Sequence, residues 1–318
     1  MKKIMNMTTA DCDLDRFQDL QDLRSYYKDL SLDGIELLEF GEDLQGKIEP
    51  SDVIGVHLKY FTAWMGLWLG DSERLLNEFD DWSTVQEIYG GQSKHVLTDS
   101  MKKNSAFAGQ LEPEYLVFHV SECTIAETML RKYHYTNEEV VDAAIEWINT
   151  FVSDIKGTPW LLFENLWHSG LTMLDPELTS RILEEVNYKY KGVMLDIGHL
   201  LHTNPQLSNL DEAILYIEQV LDLYDDLDFI KGVHLHQTLS GSYSLNLKNT
   251  WQPCTEPYET RLFESLLHVY KIDSHKPFVH NRVKELIQRI APDYLVFEQI
   301  SSTREEHLEQ LIAQLNCF

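Results

Sequence analysis

The sequence predicts an α/β fold, a (β/α)8 TIM barrel, from three observations. Eight short apolar, β-rich runs can be counted, stretches of helical periodicity separate most of them, and no glycine-rich phosphate loop follows the first run. Strands alternating with helices specify a parallel sheet covered by helices. Eight strands suit closure, whereas an open doubly wound sheet usually has fewer strands and often carries such a loop.

In order, the runs are KKIMNMTT (2–9), GIELLEF (34–40), VIGVHLKY (53–60), YLVFHVSE (115–122), WLLFEN (160–165), GVMLDI (192–197), IKGVHLHQ (230–237) and YLVFEQI (294–300). Helical periodicity covers 11–29, 73–89, 138–155, 176–187, 211–224, 257–269, 279–290 and 303–315. Thr136 or Asn137, Asp175 ahead of Pro176, Asn209 and Ser302 stand where N-caps are wanted. The joint between the second and third runs, 41–52, is only about twelve residues, short for a crossover helix. Two long connections, 61–114 and 238–293, read as insertions after strands three and seven, placed to cover a substrate. At 318 residues and 43% hydrophobic content, the chain reads as one domain, 1–318.

Composition narrows the partners. With 52 acidic and 26 basic residues the formal charge is −26, a field that repels polyanions. Affinity for nucleic acid rests on Lys and Arg neutralising phosphates, so a small-molecule substrate is the expectation. Cys12, Cys123, Cys254 and Cys317 form no CxxC pair and suit reduced thiols. The start, MKKIMNMTTADCD, lacks the apolar stretch of a signal peptide, and the longest apolar run, 60–70, is too short to span a bilayer. A cytoplasmic location is expected.

Metal-capable side chains stand late in six of the runs: His57, His119, Glu164, Asp196, His234 and Glu298. In a barrel those strand ends converge on the C-terminal rim. His234 and His236, two apart, share one face of a strand, while Asp196 and His199, three apart, flank the turn from strand to loop. Asp273 and His275 form another pair inside the long seventh connection. Imidazole mixed with carboxylate suits Zn²⁺, Mn²⁺ or Fe²⁺ better than Mg²⁺ or Ca²⁺. A cation held there can activate water, polarise a carbonyl or clamp a phosphoryl group.

Structural roles compete with these. A buried strand-end histidine is often simply hydrogen-bonded, the reading favoured for His168, His202 and His236, the last also a substrate-contact candidate. Glu164 and Glu298 resist that reading, because a carboxylate closing an apolar run is costly unless paired or metal-bound. They are the candidate catalytic pair. Trp64, Trp68, Trp167 and Trp251 are candidates for a substrate-pocket wall, with core packing as the competing role.

The segments GIELLEF, GVHLKYF, FHVSE, LFENLW, MLDIGHLLHTN, GVHLHQ, DSHKPF and VFEQI, in that order, resemble the strand-end motifs of the xylose isomerase-like barrel superfamily. The likeness is strongest to its AP endonuclease 2 branch and spans essentially the whole chain. Endonuclease IV holds three zinc ions with nine ligands, and the resemblance supplies a counterpart for each. It implies His57, His119 and Glu164 at a first cation, with Glu164 bridging to a second completed by Asp196, His234 and Glu298. His199, Asp273 and His275 would hold a third. Sugar isomerases and epimerases of the superfamily keep mainly the Glu164, Asp196, His234, Glu298 quartet around one ion, and their two glutamates move a proton. The resemblance therefore implies Zn²⁺ first, up to three ions, with Mn²⁺ or Fe²⁺ as alternatives. It leaves three activities open: a phosphodiesterase on a small molecule, such as a cobamide-type nucleotide loop; a sugar or sugar-phosphate isomerase or epimerase; and a DNA-repair endonuclease. A silent ligand-binding barrel is the non-enzymatic option, and it has no need for so many costly groups at one rim.

Overall fold

Side chains of a strand alternate between faces, so a strand buried on both sides needs apolar residues at nearly every position. The eight runs meet that need. The computed structural model describes residues 1–38, 44 and 46–318. It contains a closed barrel of eight parallel strands: β1 (Lys2–Thr8), β2 (Gly34–Leu38), β3 (Val53–His57), β4 (Tyr115–His119), β5 (Trp160–Glu164), β6 (Lys191–Asp196), β7 (Ile230–His234) and β8 (Tyr294–Phe297). Each strand pairs with its neighbour in sequence, and β8 returns to β1 with Tyr294 opposite Lys2.

Most strands stop one to three residues before the apolar run does. Leu58, Val120 and Leu235, just past the strand ends, remain buried and still donate their N–H groups to Val117, Glu164 and Val296 of the neighbouring strands. The last two residues expected in the second strand, 39 and 40, lie outside the described residues, as do 41–43 and 45 of the short joint. The described part of that joint ends in a 3₁₀ turn, Pro50–Asp52. Arg24 and Tyr27 of the helix Leu20–Asp29 both bond to Asp52 Oδ1, at 2.7 and 2.9 Å, and so fasten this helix over the β2–β3 joint.

Helix ends follow capping chemistry. Thr136, Asp175 and Asn209 accept from backbone N–H groups of the first turns they precede. In the last helix, Arg304–Leu315, the cap is Thr303 rather than Ser302. The single helix expected over 73–89 is two, Ser72–Phe79 and Trp82–Tyr89, divided at Asp80 with φ +68° and restarted by the Asp81 cap. The expected 11–29 helix is likewise split, into Asp11–Leu14 and Leu20–Asp29. Between β3 and β4 the chain also forms Met65–Leu69 and His95–Ala108, and between β7 and β8 it forms Gly241–Thr250, Tyr258–Ile272 and Val283–Ile290. Among the described residues no helix is long and apolar enough to cross a membrane.

Two apolar clusters divide the protein. The larger lies between the outward strand faces and the helices, and the smaller, Ile4, Tyr115, Val117, Leu162, Met194, Tyr294 and Val296, fills the barrel interior. Two residues beyond Val117, Leu162, Met194 and Val296, on the same inward face, come His119, Glu164, Asp196 and Glu298. Glycine takes the corresponding lower position in three other strands, ahead of Glu36, His57 and His234. Gly55 shows why. A Cβ there would lie 2.1 Å from the Tyr115 ring, which occupies that space.

Candidate metal centre

The rim groups converge. All nine side chains expected as ligands fall into overlapping sets whose ligand atoms lie within 4.8 Å of one another: His57, His119, Glu164; Glu164, Asp196, His234; Asp196, His236, Glu298; and His199, His236, Asp273, His275. Glu164 and Asp196 each belong to two sets, and so does His236, which was expected beside the site rather than within it.

Local structure explains the placements. Asp196 ends β6 and caps the helix Ile197–His202, accepting from the His199 N–H at 2.6 Å, so the strand turns into a helix where a loop was expected. Asn165, fully buried after β5, bonds Asp196 on both sides: its Oδ1 accepts from Asp196 N–H at 2.9 Å, and its Nδ2 donates to Asp196 O at 3.0 Å. Its own carbonyl accepts from His199 Nδ1 at 3.0 Å. Asp273 follows the helix Tyr258–Ile272, and the Ile272 carbonyl accepts from Thr238, Ser240 and His202, pinning the return of the long connection onto the rim.

The tautomers follow from partners that only accept. His57 donates from Nδ1 to Leu58 O at 3.0 Å, His199 from Nδ1 to Asn165 O, and His275 from Nδ1 to Glu298 O at 3.1 Å. His234 uses Nε2 toward Glu36, 3.0 Å away. In each case the opposite nitrogen is turned into the cluster, the arrangement by which metal-binding histidines are oriented. His57 Nε2 lies 3.0 Å from both His119 Nε2 and Glu164 Oε2. Lone pairs crowded in this way call for a cation or for protons. Among the described residues, the buried His236 Nδ1, Asp273 Oδ1 and Glu298 Oε2 have no hydrogen-bond partner. The donor set, its tautomers and these orphaned atoms together fit a resident divalent cation.

Electrostatics agree. Burial alone would raise the Glu164 carboxyl, yet His119 and His234 hold it well below the usual range. Burial likewise opposes charge on His199, but Asp196 and Asp273 carry it well above an ordinary imidazole. Asp273 is pushed the other way, well below its usual range, because His275 and His199 outweigh its burial. Glu298 differs: burial leads, and its carboxyl is raised.

Three of the four expected wall residues lie elsewhere. Trp64 donates Nε1–H to Ser121 O and packs with Trp68 against Trp147, ring centroids 4.8 and 6.3 Å away, so both tryptophans fill the core under the β3–β4 helices. Their spacing, three and four residues from neighbouring apolar positions, is that of a buried helix face. Trp251 caps the C-terminal end of Gly241–Thr250, and among the described residues no ring contact joins it to the cluster. Trp167 does border it, 5.0 Å from the His199 ring and 4.7 Å from His202. His168 bonds instead to Cys123 Sγ, 3.3 Å away.

Three residues escaped sequence reasoning. Glu36 sits in β2 beneath His234 and also accepts from Tyr115 OH at 2.6 Å. Its signal was the Gly-x-Glu spacing at 34–36, parallel to Gly-x-His at 55–57 and 232–234. Asn165 gave none beyond adjacency to Glu164. Tyr60, three residues after His57, stacks on His119 at 4.4 Å and remains 45% exposed at the mouth.

Among solved structures, the chain is similar over essentially its full length to three that share this architecture. A putative xylose isomerase from Rhodospirillum rubrum matches with TM-score 0.56 at 13% identity, covering 100% of this chain and 98% of that one. Endonuclease IV from Thermus thermophilus matches with TM-score 0.52 at 14% identity, covering 100% and 98%. These likenesses show the fold, a (β/α)8 TIM barrel. The probable 3-DHS dehydratase AsbF from Bacillus anthracis matches with TM-score 0.51 at 13% identity, covering 99% and 98%. No protein-family model matches the sequence. No curated protein matches it either. These three similar structures span different chemistries, and fold alone does not choose among them.

Proposed function

We propose that this chain is a divalent-cation-dependent hydrolase, a phosphodiesterase acting on a small, non-polymeric substrate at a site holding more than one cation. The observation that carries the reading is the sharing of Glu164. Its Oε2 lies 3.0 and 3.1 Å from the Nε2 atoms of His57 and His119, and its Oε1 3.3 Å from His234 Nδ1. A carboxylate with both oxygens engaged on two sides is built to join neighbouring cation positions. Bound divalent cations supply activation of water and neutralisation of charge on an attacked phosphoryl group.

The chain's own groups do the rest. His57, His119 and Glu164 hold one position, and Asp196, His234 and Glu298 complete the next. Glu298, 16% exposed at its side chain, is the most open of these, and its raised carboxyl, with Oε2 3.2 Å from His234 Nδ1, suits it to hold or pass a proton near the mouth. Tyr60 offers a ring face beside His119 for an apolar or aromatic part of the substrate. With Trp64 and Trp68 in the core, the aromatic wall is smaller than a bulky cobamide-type substrate would favour.

The same observation weighs against the isomerase reading. That chemistry uses one cation held by Glu164, Asp196, His234 and Glu298, whereas Glu164 here also faces His57 and His119, outside that quartet. The charge of −26 weighs against a DNA-repair role. Metal-reconstituted protein should hydrolyse a simple phosphodiester such as bis(4-nitrophenyl) phosphate and should not exchange solvent deuterium into ketoses. Deuterium exchange with no phosphodiester cleavage would reverse the reading.

A further inference from the structure

We infer that His236 ligates the third cation position through Nδ1, completing with His199, Asp273 and His275 a closed four-donor set, so that substrate is engaged only at the positions joined by Glu164. This rests on the reading that the rim binds cations. It departs from the three-donor set expected for that position.

His236 Nε2 lies 2.9 Å from Asp196 Oδ2, and a carboxylate oxygen only accepts, so Nε2 carries the proton. The other nitrogen is then a bare lone pair. It is buried, it has no hydrogen-bond partner among the described residues, and it faces Asp273 Oδ1, also unpartnered, 4.0 Å away. Two acceptor atoms buried at that separation repel unless something positive lies between them. Zinc–nitrogen and zinc–oxygen bonds of about 2.0–2.2 Å set two donors of a tetrahedral ion roughly 3.4 Å apart, so a bound cation would draw these two atoms together by about half an ångström.

Packing holds the ring in this pose. It lies parallel to His275, centroids 4.0 Å apart and planes 7° apart, and a Cβ at residue 198 would come within 1.9 Å of it. Gly198, in the first turn of the helix Ile197–His202, therefore leaves the space that the imidazole fills. The ring is fully buried.

Four protein donors fill a tetrahedral position, the mark of a structural site, whereas catalytic positions keep one open for water or substrate.

Cobalt(II) titration of the metal-free full chain, with inorganic phosphate as the probe anion, tests this. In the wild-type protein one equivalent should give an intense four-coordinate spectrum that phosphate leaves unchanged, while the spectrum of the other equivalents shifts. In His236→Asn that equivalent should bind more than about tenfold more weakly and become phosphate-sensitive, since even losing a group that orients a ligand typically costs 10–100-fold. A phosphate response from every wild-type equivalent would overturn the inference, as would full third-site affinity in His236→Asn. Should His236→Asn fail to fold, the wild-type phosphate response decides alone. No cobalt uptake by wild-type protein would instead defeat the functional reading beneath it.

Discussion

Glu164 lies within 3.3 Å of four imidazoles, and that placement makes it the residue on which cation sharing depends. Glu164→Gln keeps the shape but replaces one oxygen by an N–H donor, so it should lower total metal content; elemental analysis showing wild-type content would count against the sharing. Glu36 acts at one remove. It fixes His234 with Nδ1 toward the cluster, so Glu36→Gln should weaken cation binding by about 10–100-fold while leaving the ligands in place. Competitive titration against a chromophoric chelator reads this, and unchanged affinity would remove Glu36 from the account. The metal-free protein should also respond to pH. Burial opposes charge on His275, but Asp273 and Glu298 outweigh it and raise the imidazole to about 9. A group raised on folding gives stability that is whole below its unfolded value of 6.5 and disappears as pH rises through the folded value. The thermal stability of metal-free protein should therefore fall between pH 6.5 and about 9, and His275→Asn should flatten that slope. An equal slope in the variant would place its source elsewhere.

Strand β2 reaches the site through a relay: Gly55 leaves room for the Tyr115 ring, Tyr115 bonds Glu36, and Glu36 orients His234. Gly55→Ala should overpack this joint, costing about 1–3 kcal/mol in chemical denaturation, and should also weaken cation binding. A stability loss with full cation affinity would break the relay. The strands themselves were legible because continuous apolar runs, as strands buried on both faces require, are strong local signals, and the rim followed from where each run stopped. His236 and Glu36 were harder to place. Both are polar residues within or just beyond apolar runs, and only the three-dimensional neighbours, Gly198 and His275 for one, Tyr115 and His234 for the other, show what they face. Trp64 and Trp68 misled because an aromatic residue near a strand end has the same local signature whether it lines a cavity or fills a core. The division of 73–89 was hidden for a different reason: Asp80 adopts a positive φ that a periodic apolar pattern does not register.

The charge of −26 concentrates cations and repels polyanions, and the buried rim needs that positive charge more than the surface does. Binding that favours the folded state over the unfolded chain must raise stability, so added Zn²⁺ should shift thermal unfolding upward and a chelator should reverse the shift. The most direct test of the whole account is the metal content of the intact chain, by elemental analysis after purification without added metal and again after reconstitution with Zn²⁺. The account predicts about three cations per chain in the reconstituted protein, as expected for catalytic positions joined by Glu164 beside one closed position. A content of about one, or none, would contradict it.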